Sequence, residues 1–353
     1  MRIFVLVGLI IVVPLFWSIS PANGNQLVVA TATVTPKLGN TNTVLISKSN
    51  AEAIKEVVTL KSTTGVVYSA AFSPDSQILA LGGDADTIRL VDVKTMQDLP
   101  PLTGQKPSIV DVAFSSDGKL LASGSVYDGS AWVWDIQTGQ KISIHSGGIG
   151  FFDLAFSPDG NLLIGAEGGE FGAADVWEVA TGETVTIISD SNEGFTDSVA
   201  LSPDGKLLVV VKNGVIQLFP SATYKRSTVL KDEAAYTTKV VFSPDGKLLA
   251  ASTRDDVVVL WDMVSYKPIQ KFQLAKNSTG SASTLAFSPD WKLLVASSAD
   301  KSLAVWDVAA GKQLKVLTGH TYIIFDVVFS PDGKLVASTS ADETVRLWGV
   351  PTS

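Results

Sequence analysis

The sequence predicts an all-β protein built from seven copies of one small antiparallel unit. The first observation is an internal repeat with a period of 41 to 45 residues, and such a period decides the architecture of a chain. The second is the pattern inside each copy, where short alternating apolar segments are separated by turn residues roughly every 8–12 positions. The third is composition, because 46% hydrophobic and 18% charged residues suffice for a large core and exclude global disorder.

Composition also excludes several classes of function. The 353 residues contain no Cys, which excludes disulfide scaffolds, thiolate metal sites and Cys nucleophiles, and only two His, which disfavours a His-rich metal site. We therefore expect no metal and no cofactor. The net charge of −8 argues against nucleic acid as a partner, since phosphate binding needs clustered Lys and Arg.

Residues 1–22 are predicted to be a secretory signal peptide. Arg2 precedes an apolar run that ends at Trp17, and the small residues Ser20 and Ala22 follow at the −3 and −1 positions of a cleavage site. We therefore expect the protein to be secreted, periplasmic or on the cell surface. The alternative is an uncleaved anchor, which is the one case in which a membrane contact is expected.

Residues 23–52 are rich in Thr and Asn and are predicted to be a flexible spacer. The alternative is that Gln26–Val34 or Thr43–Ile46 adds a short edge strand. The repeats then occupy residues 53–353, so that one large domain follows the predicted signal peptide and the spacer.

Each repeat contains a variant of the phrase Ala-Phe-Ser-Pro-Asp-Gly. Ser, Pro and Gly occupy the positions they favour in a type I turn, so this phrase is expected to connect two antiparallel strands. The position that precedes the turn is taken as the anchor of the repeat, and the seven anchors are Phe72, Phe114, Phe156, Leu201, Phe242, Phe287 and Phe329.

A second signature ends the third strand of each repeat, 18 to 21 residues after the anchor. It is intact in Trp134-Asp135, Trp261-Asp262 and Trp306-Asp307 and degenerate in the other four copies. With this signature the chain resembles the WD40 (β-transducin-type) repeat family, whose fold is a β-propeller. The resemblance implies a seven-bladed propeller, expected to be a monomer, that binds a protein or peptide without being an enzyme.

The ring is expected to close through the amino-terminal strand. The last copy ends at Trp348 and lacks an outer strand, whereas Ala53–Lys61 precedes the first copy and aligns with the outer-strand segment Gly311–Thr318. We predict that Ala53–Lys61 completes the last blade and so removes an exposed sheet edge.

His320 is the candidate centre of a polar network. The resemblance implies hydrogen bonds from His320 to a Ser of the second strand, to Asp342 and to Trp348, and alternation leaves Ser338 and Ser340 as equal candidates. Ser, His and Asp together also suggest a nucleophile. The structural interpretation is preferred, and no catalytic residue is predicted.

Three carboxylates are candidates for a ring inside the propeller. Asp111, Asp153 and Asp326 each lie three residues before an anchor, where the other copies carry Ser, Thr or Lys. If this strand lines a central channel, the three would form a polar ring that either is hydrated or holds Ca²⁺ or Mg²⁺.

Candidate partner-binding residues lie near the connections between repeats. The turn at residues 166–173 is longer than the others and carries Glu167 and Glu170, and loops that deviate from a rigid scaffold often carry binding. The remaining candidates are the large apolar residues Phe195, Tyr236, Tyr322 and Ile323.

Two classes of function remain open. The leading one is a binding scaffold that acts outside the cytoplasm, which exposed aromatic loop tips would favour. The alternative is a secreted carboxylate-dependent hydrolase or carbohydrate-active propeller, which clustered carboxyls with raised pKa values would favour.

Overall fold

The computed structural model describes residues 42–105, 107–126, 129–145, 150–168, 172–189, 194–230, 236–274 and 284–352. The predicted signal peptide and residues 23–41 of the predicted spacer lie outside this part of the chain. Among the described residues no helix is long and apolar enough to span a membrane.

The described chain forms 29 strands and one turn of 3-10 helix. At the amino terminus lie β1 (Thr43–Val44), the 3-10 turn (Ala51–Ala53) and β2 (Lys55–Lys61). The strands of the first three blades are β3 (Val67–Phe72), β4 (Ile78–Gly83), β5 (Thr87–Asp92), β6 (Asp98–Thr103), β7 (Ile109–Phe114), β8 (Leu120–Ser125), β9 (Ser130–Asp135), β10 (Lys141–His145), β11 (Phe151–Phe156), β12 (Leu162–Glu167), β13 (Ala174–Glu178) and β14 (Thr184–Ile188). The strands of the remaining blades are β15 (Thr196–Leu201), β16 (Leu207–Lys212), β17 (Val215–Pro220), β18 (Thr228–Leu230), β19 (Thr237–Phe242), β20 (Leu248–Thr253), β21 (Val257–Asp262), β22 (Lys267–Gln273), β23 (Leu285–Phe287), β24 (Leu293–Ser297), β25 (Leu303–Asp307), β26 (Lys312–Leu317), β27 (Ile324–Phe329), β28 (Leu335–Ser340) and β29 (Thr344–Pro351).

These strands form a closed seven-bladed β-propeller, as predicted. Six blades are four-stranded antiparallel meanders, and the seventh is a five-stranded sheet that includes both amino-terminal strands. The innermost strands contact one another in the cyclic order β3, β7, β11, β15, β19, β23 and β27, and β27 contacts β3 again. Apolar residues of adjacent blades form the core, in which the Trp134, Trp177, Trp261 and Trp348 side chains are fully buried.

The Ser-Pro-Asp-Gly phrases form the turns that the sequence predicts. In the seventh blade the Gly333 N–H donates to the Ser330 carbonyl at 2.8 Å, and the Ser330 hydroxyl donates to Asp332 at 2.7 Å. Gly333 has a φ of 70°, a conformation that favours glycine. The face of the propeller that carries these turns is called the turn face below, and the opposite face, with the connections between blades, is called the loop face.

Neighbouring turns also pack against each other. A Cβ atom on Gly118, Gly205, Gly246 or Gly333 would lie within 3.2–3.8 Å of the proline ring in the turn of the preceding blade. The second blade carries Ser116 instead of proline, and the glycine that follows it in the ring, Gly160, has nothing within 4 Å. A groove of about 840 Å³ lies at this point between the second and third blades.

The amino-terminal strand closes the ring. β2 pairs with β29 from Lys55↔Gly349 to Lys61↔Thr344, which confirms the predicted closure. Val58 and Leu60 of β2 are buried in the core shared with the first blade.

The prediction of a flexible spacer is wrong for the last ten of its residues. Thr43 and Val44 pair with the end of β29, which realises the alternative of an edge strand, and Ile46, Ala51 and Ile54 are buried between the sixth and seventh blades. The physical reason is that β29 extends two residues beyond its pairing with β2 and offers unpaired backbone groups to a second segment.

Candidate functional site

The seventh blade contains the network that was predicted around His320. The imidazole Nδ1 lies 2.9 Å from an Asp342 oxygen, Nε2 lies 2.8 Å from the Ser338 hydroxyl, and the Trp348 indole N–H donates to the same hydroxyl at 2.9 Å. The structure thus selects Ser338, and Ser340 instead donates to the Tyr322 carbonyl. Sequence alternation could not separate the two because both lie on one face of β28.

The electrostatics of this network suit a structural role. Burial holds the pKa of His320 below its ordinary value, although the hydrogen bond to Asp342 acts in the opposite direction. Burial opposes ionisation of Asp342, but hydrogen bonds from Thr344, Thr321 and His320 outweigh it and keep the pKa of this carboxyl below its usual range. Ser338 is 0% exposed, so a substrate does not reach its hydroxyl.

A smaller network in the second blade was not predicted. Gln105 replaces the histidine, its amide oxygen accepts from the Ser123 hydroxyl, and the Trp134 indole N–H donates to Ser123 at 2.8 Å. Gln105 is one of the residues that fill the histidine position in the other copies, and its ability to accept a hydrogen bond was the available signal. In the fifth and sixth blades, by contrast, the indole N–H groups of Trp261 and Trp306 find no acceptor among the described residues.

The three predicted channel carboxylates are brought together on the innermost strands. Together with Ser69, Ser198, Lys239 and Thr284 they form a belt, and six of its seven side chains accept from a backbone N–H on the next blade. These N–H groups belong to Val112, Leu154, Val199, Val240, Val327 and Ala70. The belt therefore joins the blades to one another around the channel.

Lys239 is the exception, because an ammonium group cannot accept a hydrogen bond. Its Nζ donates to Asp153 at 2.8 Å, across the channel from the fifth to the third blade. Burial, together with the charges of Asp153 and Asp326, raises the pKa of Asp111 to about 8 even though Lys239 acts against it. Burial also raises the pKa of Asp326.

The belt does not support the alternative of a bound metal ion. Each carboxylate already accepts hydrogen bonds from backbone and side-chain donors, and the ammonium group of Lys239 supplies a cation. Among the described residues, no group of three or more His, Asp or Glu side chains is arranged to hold a metal.

The predicted partner-binding residues fall into two groups. Tyr322 and Ile323 are 61% and 54% exposed and adjacent on the loop face. Phe195 and Tyr236 are half-buried, and Tyr236 packs against Arg254, whose guanidinium lies 3.4 Å from the ring centre. Glu167 is half-buried, and Glu170 lies outside the described residues.

The exposed pair has a cationic neighbour, because the Lys301 ammonium lies 5.6 Å from the Tyr322 ring centre. We call Tyr322, Ile323 and Lys301 the loop-face patch, which joins side chains of the sixth and seventh blades. Phe325 of β27 is half-buried, and its ring meets that of the buried Tyr68 of the first blade edge to face at 5.2 Å.

One buried carboxyl was not singled out by the sequence. Asp175 in β13 is 3% exposed, and its Oδ1 has no hydrogen-bond partner among the described residues. Burial and the nearby charge of Glu167 raise the pKa of Asp175 to about 7. Clustered carboxyls of this kind were expected of the hydrolase alternative, but a substrate does not reach a side chain buried to this extent.

Comparison with known proteins settles the family. The family model described as WD domain, G-beta repeat matches residues 54–92, 97–135, 226–262, 267–307 and 311–349, which together are more than half of the chain. The chain belongs to the WD40 repeat family. The family model does not match the third and fourth repeats. Their WD40 signature positions are degenerate and read Trp177-Glu178 and Phe219-Pro220.

Relatives of this WD40 protein match parts of it. An uncharacterized WD repeat-containing protein of Synechocystis is 26% identical over 172 residues, which are 48% of this chain and 47% of the relative. A WD repeat-containing protein of Schistosoma mansoni is 31% identical over 99 residues, 28% of this chain and 33% of the relative. A guanine nucleotide-binding protein subunit beta of Arabidopsis thaliana is 29% identical over 129 residues, 35% of this chain and 32% of the relative. The matched segments span about half or less of these proteins, and the chain is a WD-repeat propeller scaffold consistent with protein–protein interaction.

Proposed function

We propose that this propeller is a non-enzymatic scaffold that binds a protein or peptide through the loop-face patch, outside the cytoplasm. The observation that carries the proposal is the adjacent pair Tyr322 and Ile323, two large apolar side chains more than half exposed on a rigid face. Exposed aromatic groups of this kind are the usual anchors of protein interfaces. The carboxylates that a hydrolase would use are instead engaged in hydrogen bonds between blades, and the Ser-His-Asp set is engaged in hydrogen bonds within the seventh blade.

The charged groups of the turn face offer less to a partner. The lysines that follow five of the turns pair with the aspartate of their own turn, at 3.1–3.4 Å, so this face presents charges that are already neutralised. The pairs are Lys119–Asp117, Lys206–Asp204, Lys247–Asp245, Lys292–Asp290 and Lys334–Asp332. The exposed large apolar residues of this face include Val264, Tyr266 and Trp291, of which Trp291 provides a matched control for the loop face.

The experiment compares partner recovery from the native compartment by three forms of the chain that starts at Asn23. We expect Tyr322→Ser/Ile323→Ser to lose more than tenfold of the partner recovered by the wild type. Trp291→Gly should retain the partner, because glycine is the residue that most other turns carry at this position and φ there is 54°. Loss of the partner with Trp291→Gly and its retention with the double variant would contradict the proposal.

Export is proposed from the amino-terminal sequence. The charge, apolar run and small residues of positions 1–22 support it, and a chain without Cys needs no disulfide formation outside the cytoplasm. The intact mass of the protein recovered from its native host should correspond to a chain that begins at Asn23. Recovery of the full-length chain from the cytoplasmic fraction would overturn export.

A further inference from the structure

A cavity of about 230 Å³ lies between the seventh and first blades on the side of the loop face. Its walls include the apolar residues Val67, Leu81 and Leu99, and its rim carries the exposed hydroxyl residues Thr63 and Thr64. The cavity is smaller than the pockets of about 300–1,000 Å³ that take drug-sized ligands. Its volume suits a single side chain.

The cavity occupies the place of the His320 network. Thr63, Leu81 and Ala85 line it, and counted from the anchor of each blade they stand where the seventh blade has His320, Ser338 and Asp342. The strand registers agree, because Leu81 pairs with Arg89 as Ser338 pairs with Arg346.

The seventh blade shows what fills this space when the network is complete. There the His320 side chain is 1% exposed and its ring lies 6.4 Å from that of Trp348, so two aromatic heterocycles occupy the site. In the first blade the histidine is replaced by Thr63 and the tryptophan by Val91, which is buried in the core beneath. The cavity therefore lies where the histidine ring stands in the seventh blade, since Thr63 lines it at the histidine position.

The lining favours an indole over an imidazole. Leu81 replaces the serine that bonds the imidazole in the seventh blade, so the acceptor for that ring is gone and an apolar wall stands in its place. A larger, mainly apolar ring with one N–H donor fits Leu81 and Leu99, while the hydroxyls of Thr63 and Thr87 can accept the N–H. The guanidinium group of Arg89 in the wall lies 2.7 Å from the Asp98 carboxylate, so its charge is balanced without an anionic ligand.

We propose that the cavity of the first blade binds the indole ring of a tryptophan side chain on a partner peptide. The part that concerns a partner rests on the proposed scaffold function, whereas binding of an indole compound does not. The cavity is open through its exposed rim, so a side chain enters from the loop face. A tryptophan that fills such a cavity is the type of residue that dominates binding energy at protein interfaces.

The probe is N-acetyltryptophanamide, followed by saturation-transfer NMR and calorimetry on the full chain. We expect a dissociation constant on the order of 1 mM, as for a small ligand with a single buried ring. N-acetylleucinamide, which lacks the ring, should bind at least tenfold more weakly. Equal binding of the two amides, or no binding of the tryptophan amide, would overturn the proposal.

Two variants locate the probe. Thr63→Trp places an indole at the rim, where it can fold into the cavity, and should reduce probe binding more than tenfold. Thr184→Trp adds the same side chain at an exposed position of β14 and should leave binding within twofold of the wild type. Unchanged binding to Thr63→Trp would place the probe elsewhere and overturn the assignment.

A restored network gives an independent readout. The variant Thr63→His/Leu81→Ser/Ala85→Asp/Val91→Trp should lose the probe and raise the melting temperature, because the cavity is filled from within. If it does not fold, Thr63→Trp still decides the outcome. Failure of the scaffold proposal would appear as a partner insensitive to Tyr322→Ser/Ile323→Ser, with probe binding unaffected.

Discussion

At the residue scale, buried hydrogen bonds decide which side chains contribute most to the stability of the fold. His320 satisfies Ser338 and Asp342 at once, and Ser338 in turn accepts the Trp348 N–H. When one member of such a network is removed, its partners are left buried and unsatisfied, which costs more than the bond itself contributes.

We expect His320→Ala to destabilise the protein by about 2–4 kcal/mol, since it leaves a cavity and removes one buried hydrogen bond each from Ser338 and Asp342. Urea denaturation measures the change, with Thr184→Ala as an exposed control expected to lie within about 0.5 kcal/mol of the wild type. A variant that is equally stable yet loses a measurable turnover would show that His320 is catalytic.

The addition of a serine at the corresponding position should stabilise the sixth blade. Ala296 stands where the seventh blade has Ser338, and the Trp306 indole N–H beside it lacks a partner among the described residues. Ala296→Ser supplies an acceptor and should add about 0.5–1.5 kcal/mol to the free energy of unfolding. Val295→Thr buries a hydroxyl in the same blade on the opposite face of β24 and should be neutral or destabilising; an equal gain from both would refute the explanation.

At the element scale, the turns fix how blades meet. The proline of one turn lies against the glycine of the next, and the Ser116 departure coincides with the groove between the second and third blades. The sequence predicted the turn type because it depends on neighbouring residues. It did not predict the groove, because the packing of Gly160 depends on a residue one blade away.

Ser116→Pro should stabilise the protein by about 0.4–1 kcal/mol, because position two of a type I turn accepts proline and the unfolded chain loses freedom, while the hydrogen bond that it removes, from the Ser116 hydroxyl to the Pro158 carbonyl, is exposed to solvent. Pro158→Ser in the third blade is the reciprocal variant and should destabilise by a similar amount. Thermal unfolding of both measures the effect. Changes of the same sign in the two variants would contradict this explanation of the effect of proline.

The closing strand could be predicted from the sequence, whereas other contacts within the ring could not. β2 was predicted because the last repeat visibly lacks a strand and Ala53–Lys61 matches one. The edge strand β1 was only an alternative to the spacer, and the ion pair between Lys239 and Asp153 was not predicted, since both contacts join segments whose proximity is set by the ring. The serine of the His320 network stayed open for a similar reason, because only the ring orientation separates Ser338 from Ser340.

At the scale of the whole molecule, buried carboxyls control the dependence of stability on pH. Burial raises the pKa values of Asp111, Asp175 and Asp197 to about 8, 7 and 6, respectively. Such groups hold their protons more tightly in the folded chain than in the unfolded one. The stability they contribute is full below the unfolded pKa of about 4 and is lost as pH rises through the folded values.

We therefore expect the free energy of unfolding to increase as pH falls from 8 to 5. Below about pH 4 it should decrease, because hydrogen bonds lower the pKa values of turn carboxyls such as Asp117, which accepts from Ser115 and has a pKa of about 2. Asp111→Asn cannot ionise and should flatten the slope between pH 6 and 8, measured by urea denaturation at each pH. An unchanged slope would show that Asp111 is ionised throughout.

The closed ring is the basis of the scaffold, and removal of its closing segment tests it most directly. The measurement compares the thermal unfolding of a chain that starts at Thr43 with that of a chain that starts at Ser62. The second form lacks the buried side chains of Ile46, Ile54, Val58 and Leu60, worth about 6–12 kcal/mol at about 1.5–3 kcal/mol each. That amount is comparable with the whole stability of a typical protein. We expect the shorter chain to lose its cooperative transition or to melt more than 10 °C lower, whereas equal melting temperatures would contradict closure of the ring by the amino-terminal strand.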